Sequence, residues 1–460
     1  MSSRLASDVP RSGLSFNPVN SVKPIDGEIG PKIEMTPEFR EALELLHSTK
    51  QNLFITGRAG TGKSTLLHLF KGQASKKCVV LAPTGIAALN VRGQTLHSFF
   101  GFPPHFMDPK DVKRAGRNRR AVQELETLVI DEASMVRADL LDAMDVCMRL
   151  TRGVSEPFGG AQVVLFGDLF QLPPVVEPGL NEIFSQRYSG PYFFDSNAWR
   201  EMNATCFELR KVFRQGSDPE FLSLLDRLRD NTATREDFAR LNQRVEKTEG
   251  GAREGLVLST TNAISRVIND AEMDRLKGKA RCYEGVVTGE FDPSSFPTDL
   301  QLVLKKGAQV LLLRNDPSLE WVNGDLGKIV GLSEESIQVE IKGKRHELTP
   351  VSWERYVYVF DEKAASIKKK VVGTFQQFPV RLAWAITIHK SQGQTFECAT
   401  IDLGNGAFAH GQAYVAFSRC KTLSGVTLRR PVRPRDLICD DRVRRFHESA
   451  RTHVGKASHS

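Results

Sequence analysis

Eight residues constrain this chain more than any others: Gly57-Arg58-Ala59-Gly60-Thr61-Gly62-Lys63-Ser64. They stand between a short apolar run, Leu53-Phe54-Ile55-Thr56, and a helical pattern from Lys63 to Phe70. A glycine-rich turn in that position lets backbone amides and a helix N-terminus converge on an anion. The spacing fits the P-loop pattern in the context that pattern requires. Lys63 is placed to neutralise β/γ-phosphate charge, and the Ser64 hydroxyl to join a Mg²⁺ shell. The expected ligands are ATP and Mg²⁺, held by Gly57, Ala59, Gly60, Thr61, Gly62, Lys63, Ser64 and Thr65. Short apolar strands between helices suggest a parallel sheet covered on both faces, so the expected fold class is α/β.

Other apolar runs alternate with helical patterns as that sheet demands: Cys78–Ala82, Leu128–Ile130 and Val163–Phe166. A second alternating region begins near residue 200, with strands expected at Leu256–Ser259, Ala399–Ile401 and Val426–Leu428. Between them, Val310–Leu313, Lys328–Val330, Ile337–Ile341 and Tyr356–Phe360 read as short strands separated by turns such as Asn323-Gly324 and Lys342-Gly343. That interval looks like a small inserted barrel. The stretch Gly101–Arg120 breaks the first region's rhythm and carries six basic residues and one acidic from Lys110 to Arg120. It is a small insert, not part of the sheet, and its basic run is either a strand-separating or DNA-anchoring surface or a solvated loop.

Carboxylates and arginines supply the remaining chemistry. Asp131-Glu132 follows the strand ending at Ile130, the edge where ligands sit in parallel sheets. Asp131 would hold the metal together with Ser64, and Glu132 would polarise an attacking water. Gln171, after the strand Val163–Phe166, is a candidate sensor of the γ-phosphate. Arg214 and Arg419 lie far from the loop in sequence. Each is either a surface charge or a finger reaching in from a second domain.

Composition fits these readings. In 460 residues, Lys+Arg is 63 against Asp+Glu 55, a net +8 that permits an anionic partner such as nucleic acid. The seven cysteines have no metal-ligand spacing and read as reduced, buried thiols. The start lacks an apolar signal segment and is rich in Ser, Pro and Gly, a flexible tail in expectation. No apolar run is long enough to span a membrane.

Taken in order, the motifs resemble superfamily 1B DNA helicases, most closely the PIF-one family, which is related to RecD. The matching stretches are Gly57–Ser64, Ala82–Ala88 with Thr95–Ser98, Asp131–Met135, Gly167–Pro174, Phe213–Gln215, Thr260–Asn262, Leu382–Gly393 and Tyr414–Arg419. They cover roughly residues 35–430. The resemblance implies two RecA-like domains with ATP between them, lined by Lys63, Ser64, Asp131, Glu132, Gln171, Arg214, Gly393 and Arg419. It implies single-stranded DNA across the tops of both domains, touched by Pro83, Thr84, Gly85, His97 and Ser98 from the first. Thr261, Asn262, His389 and Lys390 would touch it from the second. Phe99, His97 and His389 also offer stacking or polar contacts.

The implied layout is a tail at 1–34, a first RecA-like domain at 35–98 and 124–198, and a wedge insert at 99–123. A second RecA-like domain follows at 199–306 and 379–440, with an SH3-like barrel at 307–378 and a C-terminal tail at 441–460, expected to fray from Arg445. One position departs from the family: Phe39 stands where a Gln that reads adenine is expected, which puts adenine selectivity in doubt.

The implied activity is an ATP- and Mg²⁺-dependent helicase moving 5′→3′ on single-stranded DNA, with duplex/single-strand junctions and G-quadruplexes as substrates. Replication or recombination proteins are its expected partners. Rival readings are an ATP-driven translocase or remodeller, and a nucleotide-gated DNA-binding module without efficient unwinding. The length fits a compact bacterial or phage form in the cytoplasm (nucleoid); a eukaryotic form would be mitochondrial or nuclear.

Overall fold

The computed structural model describes residues 34–457, apart from 75, 104, 177, 215–217, 247–254 and 319. Residues 1–33 of the expected tail, and Gln215, lie outside the described residues. The first lobe is built on six parallel strands: β1 (Leu53–Gly57), β2 (Cys78–Ala82), β3 (Gln94–Thr95), β4 (Thr127–Ile130), β5 (Gln162–Phe166) and β6 (Thr205–Leu209). Their order is β3-β2-β4-β5-β1-β6. β1, β4 and β5 are buried along their whole length, which is why they read as unbroken apolar runs rather than alternating ones. The P-loop follows β1 and the carboxylate pair follows β4, two strands away in the order, so both reach the same edge of the sheet.

The second lobe starts with β7 (Leu256–Ser259). The chain then leaves the sheet for a β module: β8 (Arg281–Glu284), β9 (Val286–Gly289), β10 (Gln301–Leu304), β11 (Gln309–Leu312), β12 (Leu326–Leu332), β13 (Ile337–Ile341), β14 (Lys344–Leu348), β15 (Val351–Asp361), β16 (Ser366–Gln377) and β17 (Val380–Leu382). It returns with β18 (Ala385–Thr387), β19 (Ala399–Asp402) and β20 (Val426–Leu428), which complete a parallel sheet in the order β18-β7-β19-β20.

Four expectations need correction. The β-rich interval is not confined to 307–378, because it begins at Arg281 and ends at Leu382. Its early strands are short and largely exposed, so they lack an apolar pattern. The module is also not one closed barrel. Its strands form an open five-stranded antiparallel sheet, β14-β13-β12-β11-β17, a three-stranded sheet, β15-β16-β9, and the pair β10-β8.

The first lobe does not end at 198, because β6 pairs in parallel with β1 from Leu53↔Thr205 to Gly57↔Leu209. Finally, 441–460 is not a frayed tail over most of its length: Asp441–Ala457 is a helix. It is polar, but Val443 is fully buried and the Phe446 ring stacks on Phe194 with centroids 4.5 Å apart and planes 13° from parallel. Phe54, Phe193 and Trp199 also pack against that ring.

No helix among the described residues is long and apolar enough to cross a membrane. All seven cysteines are free, but only Cys147 and Cys420 are buried, and Cys282 and Cys398 are exposed. The burial expected for these thiols therefore holds only in part.

The aromatic seat of the last helix yields a stability prediction. Phe446→Ala should cost about 3 kcal/mol, the low end of the range for truncating a large packed ring, since Phe446 is only partly buried. Chemical denaturation measures this. A loss under about 0.5 kcal/mol, the level of an ordinary surface change, would mean that the helix does not anchor the lobe.

Candidate nucleotide and nucleic-acid sites

The P-loop leaves β1 at Gly57 and enters the helix Lys63–Gln73. Gly60 and Gly62 take φ of +84° and +83°, a conformation that side-chain-bearing residues avoid. A Cβ on Gly62 would also stand 2.8 Å from Phe39 Cζ, so the loop has no room for another residue there. Lys63 Nζ donates to Gly57 O at 2.7 Å and Arg58 O at 3.0 Å. Burial pulls the Lys63 ammonium below its usual range, while the carboxylates of Asp168, Glu132 and Asp131 pull it back up.

At the end of β4, burial and the neighbouring Glu132 push the Asp131 carboxyl up to about 7. Burial also raises Glu132, against the opposing charges of Lys63 and Arg419. Glu132 holds φ at +50°, a strained angle for a residue with a side chain. The Ser64 hydroxyl and the Asp131 carboxylate are hard oxygen donors. They suit Mg²⁺, which commonly takes one or two protein oxygens and fills its shell with phosphate and water. Among the described residues no cluster of three or more His, Cys, Asp or Glu side chains makes an independent metal cage.

The loop after β5 holds Asp168, 1% exposed. Its carboxylate accepts from Arg229 at 3.2 Å, from Phe170 N–H at 3.2 Å and from Gln171 Nε2 at 3.3 Å. It also accepts from the Tyr414 hydroxyl at 3.4 Å. Burial works against this charge, but Arg229 and Lys63 hold the carboxyl below the usual range. Gln171 is thus turned onto Asp168 at the P-loop edge.

From the second lobe comes Arg419, 1% exposed, donating to Val415 O, Ser391 O, Gln394 O and Ser418 Oγ at 2.8–3.3 Å. Arg214 leaves the segment after β6, where Phe213 N–H donates to Gly60 O at 2.9 Å. Its guanidinium donates to Ser418 O at 3.0 Å and to Gly393 O at 3.5 Å. Burial, with the adjacent Arg419, pushes Arg214 down to about 9. Arg214 therefore projects from the end of the first lobe, not from the second. The structure brings Lys63 into electrostatic range of Asp131 and Glu132, and Arg419 into range of Glu132 and Asp168, with Gln171 joined through Asp168 and Arg214 through Ser418.

The nucleic-acid candidates are less uniform. Thr84 and Thr261 cap helices, their hydroxyls accepting from Ala87 N and Ile264 N. Asn262 and Lys390 are exposed, while Pro83, His97 and His389 are half-buried. Burial lowers both histidines, with Arg137 adding to the effect at His97. Gly85 and Ser98 face the chain's own β module: a Cβ on Gly85 would meet Ser295 Oγ at 2.0 Å, and Ser98 Oγ accepts from Arg355 at 2.9 Å. Phe99 is a correction. It is 2% exposed and packs edge-on against Phe100 and Tyr358 at 5.0 and 6.0 Å, which leaves no ring face for a base.

Sequence reasoning missed four groups at this edge: Asp168, Arg229, His410 and Tyr414. Asp168 and Tyr414 lie inside recognised motifs but carry no chemistry that spacing reveals. Arg229 looks like an ordinary cation at a helix end, yet it is 3% exposed and sits 4.0 Å over the Phe170 ring.

Two parallel sheets, a P-loop on one and a buried arginine reaching its carboxylates from the other, define a two-lobed RecA-like nucleotide-binding protein. The sequence profile of PIF1-like helicases matches residues 35–238. The ATP-dependent DNA helicase Pif1 of Bdellovibrio bacteriovorus is 31% identical over 91% of this chain and 92% of its own. The human ATP-dependent DNA helicase PIF1 is 34% identical over 87% of this chain and 62% of its own, so the chain spans about three fifths of that relative. A crystal structure of Bacteroides sp. Pif1 with ADP-AlF4 superposes with a TM-score of 0.85 at 36% identity, covering 92% of this chain and 98% of that one. The same protein bound to single-stranded DNA gives 0.67, at equal identity and coverage. The chain belongs to the PIF1-like helicase family.

His410 joins the two lobes and gives a pH prediction. Its Nδ1 accepts from Asp440 N–H at 2.9 Å, so the ring proton sits on Nε2 and is donated to Leu169 O at 2.8 Å. Burial holds the ring below its ordinary 6.5, although Asp440 and Asp168 oppose the shift. The unfolded chain binds this proton first as pH falls, so His410 costs stability from 6.5 down to its folded value and nothing well above 6.5. His410→Gln keeps a donor but cannot titrate. Its melting temperature should fall less between about pH 7.5 and 5.5 than the parent's. An equal fall would exclude His410 as a contributor.

Proposed function

We propose that this chain is an ATP- and Mg²⁺-dependent DNA helicase that translocates 5′→3′ on single-stranded DNA and unwinds duplex or structured DNA. The observation that carries the reading is the convergence of Lys63, Asp131, Glu132 and Asp168 from one lobe with the buried Arg419 of the other. An arginine so placed can stabilise charge on a transferring phosphoryl group only when the lobes are together. Hydrolysis is thereby coupled to their closure.

In this mechanism the loop amides and Lys63 hold the phosphates, and Ser64 and Asp131 would hold the metal. Bound Mg²⁺ would supply neutralisation of phosphate charge. Glu132 orients the attacking water, and its raised affinity for a proton suits a general base. Gln171 reports γ-phosphate through the Asp168 loop. Arg214 and Arg419 stabilise the charge that develops, and Gly393 lets Arg214 approach.

The strand crosses Thr84 and His97 on the first lobe, and Thr261, Asn262, His389 and Lys390 on the second. Gly85 and Ser98 already touch the β module, so a strand reaching them displaces those contacts. The Bacteroides relative, solved with ADP-AlF4 and with single-stranded DNA, supports both ligands. Junction DNA and structured DNA such as G-quadruplexes, met with replication or recombination proteins at the nucleoid, complete the proposal.

Three outcomes test it. Glu132→Gln should still bind ATP while turnover drops about 10²-fold or more. Near-parent turnover would remove Glu132 from its role. Affinity for single-stranded DNA should fall with salt at a log–log slope of about −0.7 per phosphate neutralised. Salt-independent binding would contradict a phosphate-tracking path. Finally, duplexes with a 5′ single-stranded tail should be unwound and those with only a 3′ tail should not. DNA-stimulated ATP turnover without strand release from either substrate would favour a translocase.

A further inference from the structure

Tyr414 has no part in the chemistry assigned so far, yet its hydroxyl stands where the two lobes meet the P-loop. It sits on the fully buried helix Gln412–Phe417 of the second lobe, five residues before Arg419. Its oxygen accepts from Ala59 N–H, the third residue of the P-loop, at 3.1 Å. It donates to Asp168 Oδ2 at 3.4 Å. Burial and the Asp168 charge keep the phenol protonated throughout the physiological range, so it can serve as that donor. The same helix is docked at its start: a Cβ on Gly411 would fall 2.2 Å from Phe170 O and 2.5 Å from Gln171 O. Second-lobe helix and first-lobe loop are therefore in contact at two points, and Arg419 lies just beyond the second.

We propose that Tyr414 is a positioning residue for hydrolysis: its hydroxyl ties the P-loop and Asp168 to the helix whose C-terminal turn carries Arg419, and so sets where that arginine stands relative to the γ-phosphate. The assignment rests on the ATPase reading given above. One oxygen on a rigid ring is used in both senses, as acceptor for a loop amide and as donor to a carboxylate, so the helix has a defined rotation against the loop. Arg419 is held by carbonyls of its own lobe and moves with that helix. A tie of this kind affects the transition state, where arginine placement matters. It leaves ground-state phosphate binding to the remaining loop amides and Lys63. Releasing Ala59 N–H adds a free donor for phosphate, so ATP binding should not weaken.

Tyr414→Phe tests this, because it removes the oxygen and keeps the ring. Turnover is measured with single-stranded DNA present, well below both proteins' melting transitions, beside Arg419→Ala and the double variant. The expected result is a kcat about 10- to 100-fold below the parent with KM for ATP unchanged or lower, as for a displaced catalytic group. Because Tyr414 acts through Arg419, single-turnover hydrolysis by the double variant should be no slower than by Arg419→Ala alone. A Tyr414→Phe kcat within about twofold of the parent, a raised KM at constant kcat, or multiplicative losses in the double variant would each overturn the assignment. A parent protein that does not hydrolyse ATP would overturn the enzymatic reading, and this assignment with it. An active parent with an indifferent Tyr414→Phe would overturn this assignment alone.

Discussion

One buried charge organises the edge where the two lobes meet. Asp168 is out of reach of water, and an ion there is tolerated only with partners in place. Its partners come from three directions: Arg229 from the helix Pro219–Arg229, Tyr414 from the second lobe, and Gln171 and Phe170 N–H from its own loop. Arg229 is itself almost fully buried, so neither ion can find solvent if the other is removed. Breaking such a pair by deleting one partner typically costs about 3–5 kcal/mol, far more than a surface ion pair contributes. The loop that carries Gln171 is thus fixed by a network that exists only when β5, the Arg229 helix and the second-lobe helix are all assembled.

The same network sets the electrostatics facing the P-loop. Asp131 and Glu132 are both held above the usual carboxylate range, whereas Asp168 is held below it. The difference is one of neighbours. Asp168 has a guanidinium in contact, while the other pair are adjacent and share the more distant influence of Lys63, which Arg419 adds to at Glu132 alone. Two adjacent carboxyls raised in this way are poised to gain most from an incoming cation, and the fixed Asp168 ion is not. The division separates a carboxylate that holds structure from two that are available for chemistry.

Legibility in the sequence followed burial. β1, β4 and β5 are covered on both faces, so each had to be an unbroken apolar run, and the P-loop glycines were required by backbone geometry. β6, Thr-Cys-Phe-Glu-Leu, is an edge strand with only Leu209 buried, and an edge leaves no comparable signature. The helix Asp441–Ala457 was lost for the same reason, since among its described side chains one narrow stripe that includes Val443 and Phe446 faces the core. At the site, charged and glycine-rich motifs announced themselves, but Arg229 and the Tyr414 oxygen did not. Their roles arise from contacts across about 60 and 250 residues of chain, which local pattern cannot register. Phe99 failed in the opposite direction. An aromatic beside a motif looked available to a base, and the fold spent it on packing against Tyr358.

Tyr358 also explains how the β module is held on the first lobe. Its hydroxyl accepts from Val80 N–H at 3.1 Å and donates to Val80 O at 3.2 Å, while its own N–H donates to Gln94 Oε1 at 3.2 Å. These are neutral hydrogen bonds beside an edge strand. The nearby charges work against the same contact. Burial, together with Lys71 and Arg92, pushes Lys369 of β16 down to about 6, although its ammonium rests 5.2 Å from the Tyr356 ring. Packing an amine against like charges costs free energy that the neutral contacts must offset. The module is therefore seated by directional bonds at Tyr358 and Arg355 and by the Arg117–Glu290 pair, against the local cost of Lys369 packed beside Lys71 and Arg92. A polyanion reaching Ser98 competes with the Arg355 bond that covers it.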